Sequence, residues 1–85
     1  MTLEEKSATK VLDVRGLLCP LPVIKTSQAI KQTPVGGVLE VLTTDPGSKP
    51  DLSAWARMTG NELLDVSEEN ELSRKVFKFY IRRLR

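Results

Sequence analysis

Alternation of apolar and polar residues along the chain predicts four β-strands. Residues 10–15, Lys-Val-Leu-Asp-Val-Arg, alternate and are followed by a glycine, while residues 38–43, Val-Leu-Glu-Val-Leu-Thr, are rich in apolar and β-branched side chains. Residues 62–67 and 74–83 read as two further strands joined by a short polar turn. In the last strand Phe77, Phe79 and Ile81 share one side, which predicts that this side faces the core.

Apolar residues at helical spacing predict two helices between these strands. The first covers residues 20–33 and ends at Pro34 and a Gly-Gly pair. The second follows the turn at residues 45–48, with Ser48 as the start of a capping box, and stops at Gly60, a residue suited to a left-handed cap. Four of its residues lie on one face: Leu52, Trp55, Ala56 and Thr59.

The element order β-α-β-α-β-β predicts an α/β fold, a two-layer α/β sandwich with a mixed four-stranded sheet and both helices on one face. The other sheet face is expected to stay open and to carry Glu40, Leu42, Asp65, Lys78 and Tyr80. With 85 residues the chain is one domain, in which residues 1–9 form a flexible tail and residues 10–85 the folded part.

Composition narrows the possible chemistry. The chain has one cysteine and no histidine, which excludes an internal disulfide, a histidine-based triad and a zinc site built from nitrogen and sulfur ligands of this chain alone. No apolar run approaches the roughly 20 residues that cross a bilayer, and the polar start is unlike a signal peptide, so we expect a cytoplasmic protein without a membrane contact.

The single cysteine, Cys19, lies where the first strand passes into the first helix. If Pro20 is the first helical residue, Cys19 becomes the N-cap, and backbone amides and the positive end of the helix dipole lie near its sulfur. Such a position favours the thiolate, and Arg15 and Lys25 add to the effect if they face it. We therefore predict a reactive, partly exposed thiol, although free cysteines are more often small buried hydrophobes.

The motif Asp13-x-x-Gly16-x-x-Cys19-Pro20-x-Pro22, followed by Thr44-Asp45-Pro46, resembles the TusA/SirA-like family of small sulfur carriers. The similarity runs from about residue 11 to residue 83, which makes residues 10–85 a TusA-like domain. The resemblance implies the same sandwich fold and a sulfurtransferase-type role in which Cys19 carries sulfane sulfur as a persulfide.

The resemblance also implies which residues and partners serve the carrier. Pro20 and Pro22 carry over as motif residues that shape the site, and Gly16 and Asp45 lie in the same matching segments. Arg15 and Leu21 are supporting candidates through their positions near the cysteine and not through the resemblance. The implied donor is a cysteine desulfurase or a rhodanese, the acceptor is a partner protein thiol, and no cofactor is needed beyond the covalently held sulfur. The branch that supports tRNA 2-thiouridine synthesis typically has glutamate at the position of Leu21, so tRNA thiolation, sulfur oxidation and cofactor sulfuration all stay open.

A basic C-terminal strand supports two other interpretations. Six cations crowd residues 74–85: Arg74, Lys75, Lys78, Arg82, Arg83 and Arg85. They favour either an RNA-binding or regulatory interaction module or, more simply, a solvated edge strand protected by charge. Direct nucleic-acid binding is the weaker expectation, because nearby acidic residues offset much of this charge and the aromatic residues have core spacing. With no second cysteine to resolve a persulfide, the chain reads as a relay component more than as an autonomous catalyst.

Overall fold

The structure, a computed structural model, describes residues 8–18, 20–72 and 74–85. Its elements follow the predicted order: β1 (Lys10–Asp13), α1 (Leu21–Gln32), β2 (Val38–Thr43), α2 (Ser48–Thr59), β3 (Glu62–Glu71) and β4 (Arg74–Arg82). The predicted two-layer α/β fold with a mixed four-stranded sheet is confirmed. Neither helix is long and apolar enough to cross a membrane, as far as the described residues go.

The strand order in the sheet is β1-β2-β4-β3. β1 runs parallel to β2, while β4 pairs antiparallel with both β2 and β3. The last strand in sequence is therefore an inner strand, and its interpretation as an edge strand is wrong. The reason is topological: the connection through α2 leaves a gap between β2 and β3, and β4 returns into this gap, antiparallel to both strands.

Both helices bury apolar side chains against one face of the sheet. The core includes Ala29 and Ile30 from α1 and Leu52 and Trp55 from α2, as well as the predicted inward-facing residues of β4. Phe79 and Ile81 have no exposed surface. On the other face Glu40, Tyr80 and Asp65 stand in register across three strands and are half-buried, as are Leu42 and Lys78. Burial, followed by the hydrogen bond with Glu40, raises the pKa of Tyr80.

Several predicted boundaries were wrong by a few residues. β1 ends at Asp13, not at Arg15, because a turn with a left-handed residue begins there. β3 continues to Glu71, not to Ser67, because its acidic end pairs with basic residues of β4 and is not a polar turn. Thr9, which lies in the predicted tail, already donates its backbone N–H to the Val38 carbonyl at 2.7 Å. Residues 1–7 lie outside the described part.

The cations of β4 are matched by carboxylates of β3. Lys78 Nζ lies 3.0 Å from Glu69, Lys75 Nζ lies 3.2 Å from Glu68, and Arg82 lies 3.5 Å from Glu62. Arg74 pairs in the same way with Glu71 at 3.6 Å. This pairing lowers the positive potential of the strand, which supports a solvated, charge-matched surface over an RNA-binding one.

Candidate functional site

The loop that leads to Cys19 leaves the sheet at a buried, hydrogen-bonded residue. Val14 is 2% exposed and donates its backbone N–H to the carbonyl of Leu42 at 2.9 Å, so the chain is still attached to β2 one residue after β1. A tight turn follows, closed by a hydrogen bond of 3.2 Å that the Leu17 N–H donates to the Val14 carbonyl. Gly16 adopts a φ of +87° in this turn, a conformation that residues with a Cβ rarely adopt. Gly16 thus has a clear local role in the turn, and its supporting role for Cys19 stays a prediction.

The loop after β2 supports the loop after β1. The Gly16 backbone N–H donates to the Thr44 hydroxyl at 2.9 Å. The next residue, Asp45, accepts the Gly47 N–H on its carboxylate at 3.0 Å and the Ser48 N–H on its carbonyl at 2.9 Å. Asp45 therefore forms the turn that begins α2, next in sequence to the residue that holds Gly16.

The predicted capping box at Ser48 is wrong. Gly47 is the N-cap residue of α2 and makes no side-chain cap. Ser48 is the first helical residue, is 2% exposed, and shares a hydrogen bond with the Thr43 hydroxyl at 2.9 Å. Because the Asp45 turn already accepts the Ser48 amide, the serine hydroxyl is free to join the helix to the end of β2.

Arg15 is held between two carboxylates. Its Nε and one terminal nitrogen donate to the two oxygens of Asp13 at 2.8 and 2.7 Å, and the other terminal nitrogen donates to Glu71 at 2.7 Å. The side-chain hydrogen bonds from Arg15 lower the pKa of Asp13 to about 2, and the same contact raises the pKa of Arg15. Arg15 thus joins the loop to the far end of β3, and its predicted effect on the Cys19 thiol stays a prediction.

The first helix begins one residue later than predicted. Pro20, not Cys19, is the N-cap residue, with φ −96° and ψ 11°, and Pro22 takes the second helical position. The Pro20 carbonyl accepts a hydrogen bond from the Ile24 N–H at 3.1 Å, and the Leu21 N–H donates one to the Leu18 carbonyl at 2.9 Å. The amide of Leu21 is therefore used within the turn. Cys19 itself lies outside the described residues.

The two prolines of the motif have different surroundings. Pro22 is buried, and its carbonyl accepts the hydroxyl of the fully buried Thr26 at 2.7 Å, which fixes the first turn of α1 in the core. Pro20 is exposed, as is Leu21 at 43%, and Leu18 on the other side of Cys19 is 71% exposed. Both chain neighbours of Cys19 therefore face solvent, and both are apolar.

An apolar groove that was not predicted from the sequence lies beside this turn. A hollow of about 400 Å³ lies between the helices, lined on the α1 side by Pro20 and Val23. Its α2 wall consists of Asp51, Ala54, Trp55 and Met58, together with Thr59. These positions repeat with helical spacing, but only Trp55 and Thr59 belong to the face predicted for this helix, so the groove was not foreseen. Met58 is in fact 84% exposed.

Comparison with known proteins adds a family to this geometry. Residues 10–83 match the family model described as "Sulfurtransferase TusA". The chain is 47% identical to the sulfur carrier protein TusA of Allochromatium vinosum over 68% of this chain and 76% of that protein. It is 40% identical to YrkI and 49% identical to YrkF, two provisionally named sulfur carrier proteins of Bacillus subtilis, over 87% and 79% of this chain.

The relatives differ in length, and a solved structure with the same fold also comes from a SirA-like protein. The chain spans 93% of the length of YrkI but only 36% of the length of YrkF. The crystal structure of a SirA-like protein from Desulfitobacterium hafniense superimposes with a TM-score of 0.66 at 22% identity, over 88% of this chain and 99% of that one, which shows the shared fold. With the family model covering nearly the whole chain, the protein belongs to the TusA family of sulfurtransferases.

Proposed function

We propose that the protein is a sulfur carrier that accepts sulfane sulfur as a persulfide on Cys19 and passes it to a thiol of a partner protein. The observation that carries the proposal is membership of the TusA family, several of whose members are named sulfur carriers, in a chain with a single cysteine. The exposure of Leu18 and Pro20 supports it, because a partner has to reach the residue between them.

The proposed transfer is balanced without an external oxidant. The Cys19 thiolate attacks the outer sulfur of a donor persulfide, a new sulfur–sulfur bond forms on Cys19, and the bond between the two donor sulfurs breaks. The donor cysteine leaves as a thiolate, so one sulfur atom is moved with no net change in electrons. In the second half the acceptor thiolate attacks the outer sulfur on Cys19 and regenerates the Cys19 thiolate.

The composition fits a relay that depends on partners. Because the chain has no second cysteine, a persulfide on Cys19 has no thiol of the same chain to resolve it. We propose a cysteine desulfurase or a rhodanese as donor and a protein thiol as acceptor, in the cytoplasm, with sulfur held covalently and no resident cofactor. The helix beginning two residues after Cys19 favours the thiolate through its backbone dipoles.

Leu21 bears on the choice of acceptor. It is the first residue of α1 and is 43% exposed, so its side chain is available to a docked protein. We propose that an apolar residue here suits an acceptor other than that of tRNA thiolation, such as one in sulfur oxidation or cofactor sulfuration. Transfer from the loaded protein to each candidate acceptor, compared between wild type and Leu21→Glu, tests this. We expect a tRNA-thiolation acceptor to prefer the glutamate variant and an acceptor of sulfur oxidation or cofactor sulfuration to prefer the wild type, and the opposite preferences would contradict the proposal.

Intact-mass spectrometry without reductant tests the carrier function directly. The reduced protein is incubated in parallel with a cysteine desulfurase and cysteine, with a rhodanese and thiosulfate, and with inorganic polysulfide. We expect the mass of one or more sulfur atoms to be added to the wild type and not to Cys19→Ser, and the added sulfur to leave on treatment with a thiol. A folded, reduced wild-type protein that no donor loads would overturn the proposal.

A further inference from the structure

The groove between the two helices continues beyond its apolar part. A second hollow, of about 370 Å³, shares Trp55 and Thr59 with the first and extends toward the C-terminal end of α1. Its wall includes Ser27, Ile30 and Asn61, and three cations: Lys31, Arg83 and Arg85. We call the two hollows together the interhelical groove; it has an apolar end at Pro20 and a basic end at Lys31.

The basic end has charge that the fold does not use. Arg83 is occupied, because it donates to the carbonyls of Thr33 at 2.8 Å and Lys31 at 3.3 Å and so caps α1. Lys31 and Arg85 are exposed, and neither forms an ion pair with a carboxylate of the described residues. The cations of β4, by contrast, are paired with carboxylates of β3.

The two ends differ in charge as well as in polarity. The acidic side chain that lines the groove, Asp51, belongs to the apolar end, close to Pro20. An acidic ligand segment is therefore attracted to the cations of the Lys31 end and finds no cation among the residues that line the Pro20 end, which sets its direction along the groove. An apolar segment gains from covering Met58 and Val23, which line the groove at that same end.

We propose that the interhelical groove docks a segment of a partner protein whose apolar side chains lie toward Pro20 and whose carboxylates lie toward Lys31 and Arg85. The identity of that partner as a protein that exchanges sulfur with Cys19 rests on the proposed function. The docking itself rests on the groove. In this direction the apolar part of the segment lies beside the chain neighbour of Cys19, and the acidic part lies at the other end of α1.

A protein segment fits the groove better than a nucleic acid. Trp55, the aromatic residue of the wall, is only 9% exposed, and its Nε1–H donates to the Ser27 hydroxyl at 2.8 Å, so its ring is packed and not presented for base stacking. Among the described residues that line it, the apolar half of the groove has no cation for a phosphodiester backbone, whereas it suits the apolar side chains of a peptide.

The test selects peptides and maps where they bind. Random dodecamer peptides displayed on phage are selected against the folded Cys19→Ser protein, which removes disulfide capture, and the enriched peptides are added to the ¹⁵N-labelled protein. We expect enriched sequences to contain apolar residues followed or preceded by Asp or Glu. We expect them to shift the indole N–H of Trp55 and the amides of Ala54 and Met58.

Charge reversal provides the matched comparison. Lys31→Glu combined with Arg85→Glu should weaken binding about tenfold, since two exposed ion pairs with the carboxylates of the segment are lost and repulsive contacts replace them. Arg57→Glu, an exposed cation of α2 outside the groove walls, should leave it unchanged. The proposal is overturned if no peptide is enriched, if enriched peptides lack acidic residues or shift other surfaces, if Arg57→Glu weakens binding equally, or if a single-stranded RNA oligomer occupies the groove instead.

The two proposals fail separately. Peptide binding is measured on a protein without Cys19, so it is unaffected if Cys19 carries no sulfur. Loading by inorganic polysulfide needs no docked protein, so it is unaffected if the groove binds nothing.

Discussion

Removal of the Arg15 side chain should cost more stability than a surface ion pair usually does. Arg15 makes a two-point contact with Asp13, at 2.8 and 2.7 Å, and a third hydrogen bond to Glu71 at 2.7 Å, with only 29% of its side chain exposed. Each pair of this partly exposed kind contributes up to about 1 kcal/mol, more for two-point arginine contacts. We therefore expect Arg15→Ala to lower the free energy of unfolding by about 1–2 kcal/mol.

Urea unfolding followed by the fluorescence of Trp55 measures this, because the chain has one tryptophan and it lies in the core. Lys75→Ala is the matched control, since Lys75 makes a single, more exposed contact with Glu68 at 3.2 Å and should cost under about 0.5 kcal/mol. A double-mutant cycle of Arg15→Ala with Glu71→Gln should give a coupling of about 0.5–1 kcal/mol.

A second measurement separates the loop from the rest of the fold. Arg15 links the loop after β1 to the end of β3, so its loss should speed amide hydrogen exchange at Gly16 and Leu17 and leave Leu52 in α2 unchanged. The reasoning is refuted if Arg15→Ala costs no more than Lys75→Ala, if the coupling with Glu71 is zero, or if exchange rises equally in both places.

Three further predictions concern the same region. Carbon-detected NMR titration should give Asp13 a pKa of about 2, and this pKa should rise toward 3.8 in Arg15→Ala. Because folding lowers the pKa, the stabilisation by the ionised Asp13 carboxylate is complete above about pH 4 and is lost as the pH falls through 2. An Asp13 pKa that Arg15→Ala leaves unchanged would contradict the contact. Thr26→Val removes the buried hydrogen bond to the Pro22 carbonyl and should cost about 1 kcal/mol in urea unfolding, a neutral result showing that the bond adds nothing. Gly16→Ala should lower the free energy of unfolding by about 1–2 kcal/mol. An added Cβ has nothing within 4 Å, so the cost comes from backbone strain at φ +87° and not from a steric clash. Calorimetry that shows no change in Tm would argue against the left-handed turn.

Whether a segment forms a strand or a helix was predictable because the local pattern of apolar and polar residues indicates it. The alternation of Phe77, Phe79 and Ile81 with polar residues gave the inner face of β4, and Gly60 marked the end of α2 with its φ of +75°. The extension of β3 was not predictable in the same way. Its residues 68–71 are acidic and polar, and they form a strand because they pair with residues 74–77 of β4, whose cations lie opposite or diagonal to them. This pairing is a long-range property.

The candidate site was predicted in outline and missed in detail. The motif placed Gly16, Pro20 and Pro22 at the strand–helix junction, where the structure has them. The partners of the loop could not be read from the chain, since Glu71 lies 56 residues from Arg15. The helix start was also misjudged, because a preference of proline for the first helical position does not decide between Pro20 and Pro22 when both are available.

The attachments of the loop also bear on how a carrier of this kind meets its partners. Val14 is bonded to β2, Gly16 to the loop after β2, and Arg15 to the end of β3, so the chain before position 19 is tied to three separate parts of the fold. Directly after it Pro22 is buried in the first turn of α1. A segment anchored on both sides loses little conformational freedom when a partner docks, and less of the binding free energy is then spent on ordering it. If the proposed function holds, a small interface around the exposed Leu18 then serves brief encounters with a donor and an acceptor, whereas a loop that had to order itself would require a larger interface for the same affinity.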